Sequence, residues 1–153
     1  MLQSMPSRKK NVGITRAKAD QPIADLVERA KEVDADPQYL YGISRLVIFG
    51  SYLTGKEKLG DIDIAVELGP KERHPPAHWK LVEEQRQAAP LGNMLEQLDW
   101  PEQKVRKALR DRHTAFSIHT YDELERMEQE FGTPSKTIYR NEAFDRKTFF
   151  GHP

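Results

Sequence analysis

The chain has 153 residues, with 24 lysines and arginines balanced by 24 aspartates and glutamates. This length fits one domain, and a net charge of zero gives no overall field for non-specific binding to nucleic acid or membranes. The absence of cysteine excludes disulfides, thiol nucleophiles and thiolate metal sites. Because no apolar run reaches the roughly 20 residues that span a bilayer and the start lacks a signal-peptide core, we expect a soluble, cytoplasmic protein without a membrane partner.

The first 21 residues form a basic segment without helical or strand periodicity, and we expect a flexible arm. Such charge blocks are usually solvated tails, and contact with nucleic acid or an acidic partner is the alternative. From Pro22 onward, apolar residues at i, i+3, i+4 and i+7 predict an amphipathic helix that ends near residues 36–37.

Two strands are predicted in the middle of the chain. The run 46–49 is β-branched and aromatic and is bounded by Gly50, which is typical of a buried strand. In the run 61–68, apolar and acidic residues alternate with period 2, so that Asp61, Asp63 and Glu67 share one face. Gly69 and Pro70 are expected to stop this strand.

The second half of the chain has mainly helical composition. Residues 71–112 are expected to form a helical insert, with helices at about 77–88 and 101–112. A short strand is predicted at 115–119, followed by a helix that opens with a Thr120 and Glu123 capping box and stops at Gly132. An edge strand is expected at 136–140, and the tail 141–153 carries three phenylalanines, which either dock on the domain or contact a partner. These residues are Phe144, Phe149 and Phe150.

The pair Asp61 and Asp63 predicts a divalent cation site. Aspartates at i and i+2 project from one face of a strand about 6 to 7 Å apart, within reach of one or two cations such as Mg²⁺ or Mn²⁺. Gly50 would let a triphosphate approach the backbone, and the Ser51 hydroxyl would donate to its oxygens. An acidic outer strand face is the alternative explanation of the two aspartates alone.

These elements together resemble a known family. The segment from Leu46 to Leu68 reads LVIFGSYLTGKEKLGDIDIAVEL. It is similar to the signature of the nucleotidyltransferase superfamily, which includes DNA polymerase beta, the kanamycin nucleotidyltransferases and the minimal nucleotidyltransferases. The signature is a hydrophobic strand, Gly-Ser, a spacer and Asp-x-Asp.

The resemblance implies an α/β (α+β) nucleotidyltransferase fold over residues 22–140, a small mixed sheet with helices packed on one face. It implies that Asp61 and Asp63 bind the metal and that Gly50 and Ser51 bind the phosphates of ATP or another NTP. The implied activity is transfer of a nucleoside monophosphate to a hydroxyl, with a protein, RNA or small molecule as acceptor.

One departure from the family pattern concerns catalysis. Active members usually carry a third carboxylate on a later strand, whereas the strand expected at 115–119 offers Ser117 and His119. His119 is a candidate general base, and the alternative is a histidine that merely closes the strand. A degenerate module that binds nucleotide, nucleic acid or a protein partner is therefore the second hypothesis. The resemblance to minimal nucleotidyltransferases adds a toxin-antitoxin or defence role to it.

Other basic residues lie near or beyond this motif. Lys56 and Lys58, in the spacer, either reach the triphosphate or keep a loop soluble. A basic helix face in 101–112 either binds RNA, DNA or an acidic protein, or is simply solvated. Its cations are Lys104, Arg106, Lys107, Arg110 and Arg112.

Overall fold

A computed structural model describes residues 14–55, 58–89, 99–111, 113 and 115–145. Over this part of the chain it contains four α-helices and six β-strands, joined in places by short 3₁₀ turns. The helices are α1 (Arg16–Ala35), α2 (Pro75–Gln87), α3 (Trp100–Arg110) and α4 (Tyr121–Phe131). The strands are β1 (Ile14–Thr15), β2 (Tyr41–Phe49), β3 (Lys58–Leu59), β4 (Ile62–Pro70), β5 (Phe116–Thr120) and β6 (Ser135–Arg140).

The central sheet is mixed, with strand order β5-β4-β2-β6. Strand β2 pairs antiparallel with β4 and β6, whereas β4 pairs parallel with β5. Parallel neighbours need a long crossover connection, and here α2 and α3 lie in that connection. The short strands β1 and β3 form a separate antiparallel pair.

Two hydrophobic clusters hold the helices against the sheet. Helices α1, α2 and α3 pack on one face, where Ile62 and Ile64 of β4 are completely buried. Helix α4 covers part of the other face through Leu124, which packs with Ala65 and Phe49. The predicted period-2 alternation of β4 and the mixed α/β fold class are therefore confirmed, and α4 adds a helix on the second face.

Helix α1 begins at Arg16, so the prediction that residues 16–21 belong to an irregular arm was wrong. Thr15 caps the helix, its side chain accepting a hydrogen bond from the Lys18 N–H at 3.3 Å. Ala19 is completely buried in the core, which anchors this turn despite the surrounding charges. The predicted start, Pro22, lies inside the helix. Residues 1–13 of the predicted arm lie outside the described residues.

Strand β4 also differs from its predicted end, because Gly69 and Pro70 continue the ladder opposite Gly42 and Tyr41. Gly69 permits close approach of the 3₁₀ turn Glu142–Phe144, since a Cβ at Gly69 would lie 1.7 Å from the Phe144 carbonyl oxygen. Phe144 thus docks on the domain, whereas Phe149 and Phe150 lie outside the described residues.

Strand β2 begins at Tyr41, five residues before the predicted run 46–49, and the other elements lie close to their predicted positions. The Thr120 and Glu123 capping box is present in α4, which ends at Gly132 with φ +63°. Strand β6 is an edge strand as expected. The segment between α2 and α3, residues 90–98, lies outside the described residues. Of the helices described, none combines the length and the apolar character that crossing a bilayer requires.

Candidate functional site

The end of β2 turns over a carboxylate of β4. Phe49, the last residue of β2, lies opposite Asp63 in the antiparallel ladder. The next residue, Gly50, has φ +80°, and a Cβ there would lie 3.2 Å from Oδ2 of Asp63. Its N–H donates to the carbonyl oxygen of Pro134 at 3.2 Å, which fixes the turn. A glycine is therefore required here both by its backbone conformation and by the nearby carboxylate.

Ser51 lies in the 3₁₀ turn Gly50–Thr54 that follows β2. The hydroxyl of Thr54 donates to the Ser51 carbonyl at 2.8 Å, and the turn ends at Gly55 with φ +83°. Asp61 is exposed immediately before β4, and the Asp63 side chain is 31% exposed. The structure thus brings the two halves of the predicted motif to the same end of neighbouring strands, with both carboxylates open to solvent.

The other neighbour of Asp63 is strand β5. Ser117 pairs with Asp63 in the parallel register, and His119 lies two residues further along. The Nε2 atom of His119 lies 3.2 Å from Oδ1 of Asp63 and 3.1 Å from Oγ of Ser117. Its Nδ1 atom lies 3.4 Å from Oε2 of Glu123 in the first turn of α4. His119 therefore joins carboxylates from two different elements.

These contacts shift the pKa values of His119 and Glu123. The hydrogen bond with Asp63 raises the pKa of His119 above its ordinary value, Glu123 adds to this effect, and partial burial opposes it. The pKa of Glu123 is lowered, first because its carboxylate accepts from the Thr120 backbone N–H at 3.0 Å. Both groups are thereby stabilised in their charged forms, and a protonated His119 donates to Asp63 and Glu123. Its predicted role as a general base stays a prediction.

Sequence reasoning assigned Glu123 to the helix cap alone, and its second contact was missed. The available signal was its spacing, because His119 and Glu123 are four residues apart across the strand-to-helix junction. Glu67 shares the predicted acidic face of β4 and lies opposite Arg45 in the ladder with β2. In the structure its Oε1 accepts from the hydroxyl of Ser44 at 2.9 Å and lies 3.7 Å from Nε of Arg45, which occupies it elsewhere.

Of the two spacer lysines, Lys56 and Lys58, the structure describes only the backbone of Lys58. Lys56 lies outside the described residues. The backbone of Lys58 pairs with Thr15 in the β1–β3 ladder, but its side chain lies outside what the structure describes. Their assignment to the triphosphate stays a prediction.

The oxygen donors of this site suit a divalent cation that is bound jointly with a substrate. Among the described residues, no group of three histidine, aspartate or glutamate side chains is placed to hold a metal ion. Mg²⁺ usually takes one or two carboxylates together with substrate phosphates and water. Asp61 and Asp63 fit that arrangement, with Oδ2 of Asp63 facing Gly50. A cation bound by protein ligands alone would not be supported by this set.

Comparison with known proteins gave one family. Residues 29–144, well over half of the chain, match the model of the nucleotidyltransferase domain. The matched range covers β2, β4, β5 and the cluster around Asp63. No match was found among curated proteins or among solved structures.

Proposed function

The chain belongs to the nucleotidyltransferase domain family, and on this premise we propose that it transfers a nucleoside monophosphate from an NTP to a hydroxyl acceptor. The observation that carries the proposal is the relation between Gly50 and Asp63. The side-chain-free Gly50 faces Oδ2 of a partly exposed carboxylate, at the strand ends where the Gly-Ser turn and the aspartate pair meet. Because Gly50 has no side chain, a phosphate group could lie next to Asp63, and a cation bound to that phosphate could also contact the Asp63 carboxylate.

In the proposed site, Asp61 and Asp63 would hold Mg²⁺ or Mn²⁺ jointly with the phosphates of the NTP. The cation would neutralise the charge that develops as the acceptor oxygen bonds to the α-phosphorus and pyrophosphate leaves. Ser51 would donate its hydroxyl to a phosphate oxygen. His119 would hold Asp63 in orientation through the Nε2 to Oδ1 contact of 3.2 Å.

The test is transfer of label from each of four α-labelled NTPs, with Mg²⁺ or Mn²⁺, to the protein itself and to a cell extract. Asp63→Asn should abolish transfer without loss of folding, because it removes a metal-binding charge from a partly exposed position. Glu130→Gln, which changes an exposed carboxylate near the end of α4, is the matched control. Equal transfer by wild type and Asp63→Asn would reject the assignment.

One observation favours a second candidate, a nucleotidyltransferase-fold module that binds nucleotide, nucleic acid or a protein without catalysis. The β5 positions nearest Asp63 carry Ser117 and His119, where active relatives are expected to have a carboxylate. For this module, NTP would bind with no label transferred under any metal condition. Restoring the acid with Ser117→Asp would then be expected to create transfer.

A further inference from the structure

A groove runs along the outer edge of β5 and is separate from the Gly50 turn. The cavity has a volume of about 560 Å³. One wall is helix α3, with Arg106, Lys107 and Arg110, and the other includes Ile118 and Thr120 of β5. Glu123, in the first turn of α4, closes one end. We call this cavity the outer groove.

The α3 wall of the outer groove is basic. Arg110 lies one turn after both Arg106 and Lys107, four and three residues away, and all three side chains line the groove. Lys107 and Arg110 are exposed, whereas Arg106 lies 3.4 Å from Asp99, which also lines the groove. The predicted basic face of α3 therefore contains two exposed cations, Lys107 and Arg110, and one cation that is paired with a carboxylate, Arg106.

The two other cations of the predicted basic face, Lys104 and Arg112, are not among the described residues that line the groove. Lys104 donates instead to the Gln38 carbonyl at 3.1 Å, beyond the C-terminal end of α1. Arg112 lies outside the described residues. The outward charge of the groove therefore rests on Lys107 and Arg110.

The β5 wall of the outer groove is a strand edge. Strand β5 is the last strand of the sheet, and no described strand pairs with its outer side. The Ile62 N–H donates to the Ala115 carbonyl at 2.8 Å, and backbone groups alternate in direction along a strand. Hence the N–H and C=O of Ile118 point away from β4 and into the groove. An added extended chain would find a backbone donor and acceptor there.

We propose that the outer groove binds an extended acidic segment of a protein acceptor, with carboxylates at alternate residues. Alternate side chains of an extended peptide lie about 6 to 7 Å apart, near the roughly 5 to 6 Å between Cβ atoms three residues apart on a helix, as Lys107 and Arg110 are on α3. Asp99 and Glu123 also line the groove, so a uniform polyanion such as RNA would meet two carboxylates. A peptide with spaced charges and its own N–H groups avoids that repulsion.

The position of the groove relates it to transfer. Glu123 lines the groove, and its Oε2 lies 3.4 Å from Nδ1 of His119, which in turn contacts Asp63. The end of the groove that Glu123 closes is therefore linked to Asp63 through the His119 ring. Naming the peptide as acceptor rests on the proposed function, whereas binding to the groove does not.

The experiment is fluorescence anisotropy of the full chain with a labelled peptide of alternating glutamate and threonine, without NTP. A glutamine-for-glutamate peptide and single-stranded RNA of equal charge are compared. Lys107→Glu/Arg110→Glu should weaken peptide binding by roughly tenfold or more, because two attractive charges become repulsive. The control, Lys80→Glu/Arg126→Glu, changes two exposed cations on α2 and α4 and should alter affinity less than about twofold.

A second measurement tests the strand edge without changing the protein. Peptides N-methylated at alternate residues should lose affinity in only one of the two registers, since one set of N–H groups faces β5. Equal binding of the glutamine peptide, unchanged binding by the groove variant, or tighter binding of RNA would overturn the proposal. Lost peptide binding with intact label transfer rejects the groove alone, and intact peptide binding without transfer rejects the transferase alone.

Discussion

The Nε2 atom of His119 lies 3.2 Å from Oδ1 of Asp63, and this contact raises the pKa of the imidazole that flanks the proposed metal ligand. The same ring contacts Glu123 through Nδ1. A carboxylate at this flank would attract a second cation, whereas an imidazolium repels it. The relation between these residues therefore bears on how strongly Asp63 binds metal.

At a pH low enough to protonate His119, His119→Gln should tighten binding of Mn²⁺ in the presence of NTP by about threefold to tenfold. The amide keeps a donor for Asp63 but removes the positive charge, and nearby charges in partly exposed sites interact by about 1 kcal/mol or more. Titration of Mn²⁺ followed by electron paramagnetic resonance measures the change. Weaker binding in the variant would mean that the ring supports the cation directly.

Gly50→Ala should disturb both stability and the site. A non-glycine residue with positive φ costs about 1 to 2 kcal/mol, and the new Cβ would also lie 3.2 Å from Oδ2 of Asp63. Gly55→Ala is the matched control, since Gly55 has φ +83° with nothing within 4 Å. Urea unfolding should report similar losses for both variants.

NTP binding separates the two glycine variants. Calorimetry with NTP and Mg²⁺ should give weaker binding for Gly50→Ala and wild-type affinity for Gly55→Ala. The physical reason is that only the former crowds a carboxylate that would hold the cation. Equal affinities for the two variants would argue against phosphate binding at the Gly50 turn.

The sequence predicted the parts of this site that depend on local pattern. The apolar run before Gly50 and the alternation around Asp63 each determine a strand and the direction of its side chains. The meeting of their ends is confirmed by the pairing of Phe49 with Asp63. The roles of these residues stay proposals.

The parts that sequence reasoning missed depend on long-range contacts. The start of α1 was missed because the basic residues around Ala19 suggested a solvated tail. Ala19 is instead buried in the core by residues that are distant in the chain. The extension of β4 through Pro70 depends on pairing with Tyr41. The link between His119 and Asp63 requires the parallel register of β4 and β5, which no local pattern specifies.

Gly69→Ala should destabilise the fold by about 1 to 3 kcal/mol, the usual range for forced overpacking. Its Cβ would lie 1.7 Å from the Phe144 carbonyl oxygen, so the turn Glu142–Phe144 would have to move off β4. Gly60→Ala, where a Cβ meets nothing within 4 Å, should be nearly neutral. Urea unfolding of both variants measures the difference, and equal stabilities would show that the Phe144 turn is not held against the sheet.

His78 should make the fold less stable as the pH falls. Its side chain is almost fully buried, and its Nε2 lies 3.2 Å from the Tyr41 hydroxyl. Burial is the main cause that lowers the pKa of His78, while the carboxylate of Glu72 raises it and Arg73 lowers it. In the unfolded chain, His78 is therefore protonated as the pH falls below about 6.5, whereas in the folded chain it is protonated only at a lower pH. This contribution to stability is fully present above about pH 6.5 and is lost as the pH falls toward the folded pKa.

The measurement is the free energy of unfolding in urea between pH 7.5 and 5. Its slope with pH reports the difference in bound protons between the unfolded and folded states. His119 contributes with the opposite sign, because its pKa is raised in the folded state, so its stabilisation is lost as the pH rises. Comparison with His78→Gln removes this background, since the variant retains His119. Wild type should lose stability relative to His78→Gln on acidification, with a slope of at most about 1.4 kcal/mol per pH unit. The exposed His74→Gln is the control and should follow wild type, and parallel curves for wild type and His78→Gln would contradict the prediction.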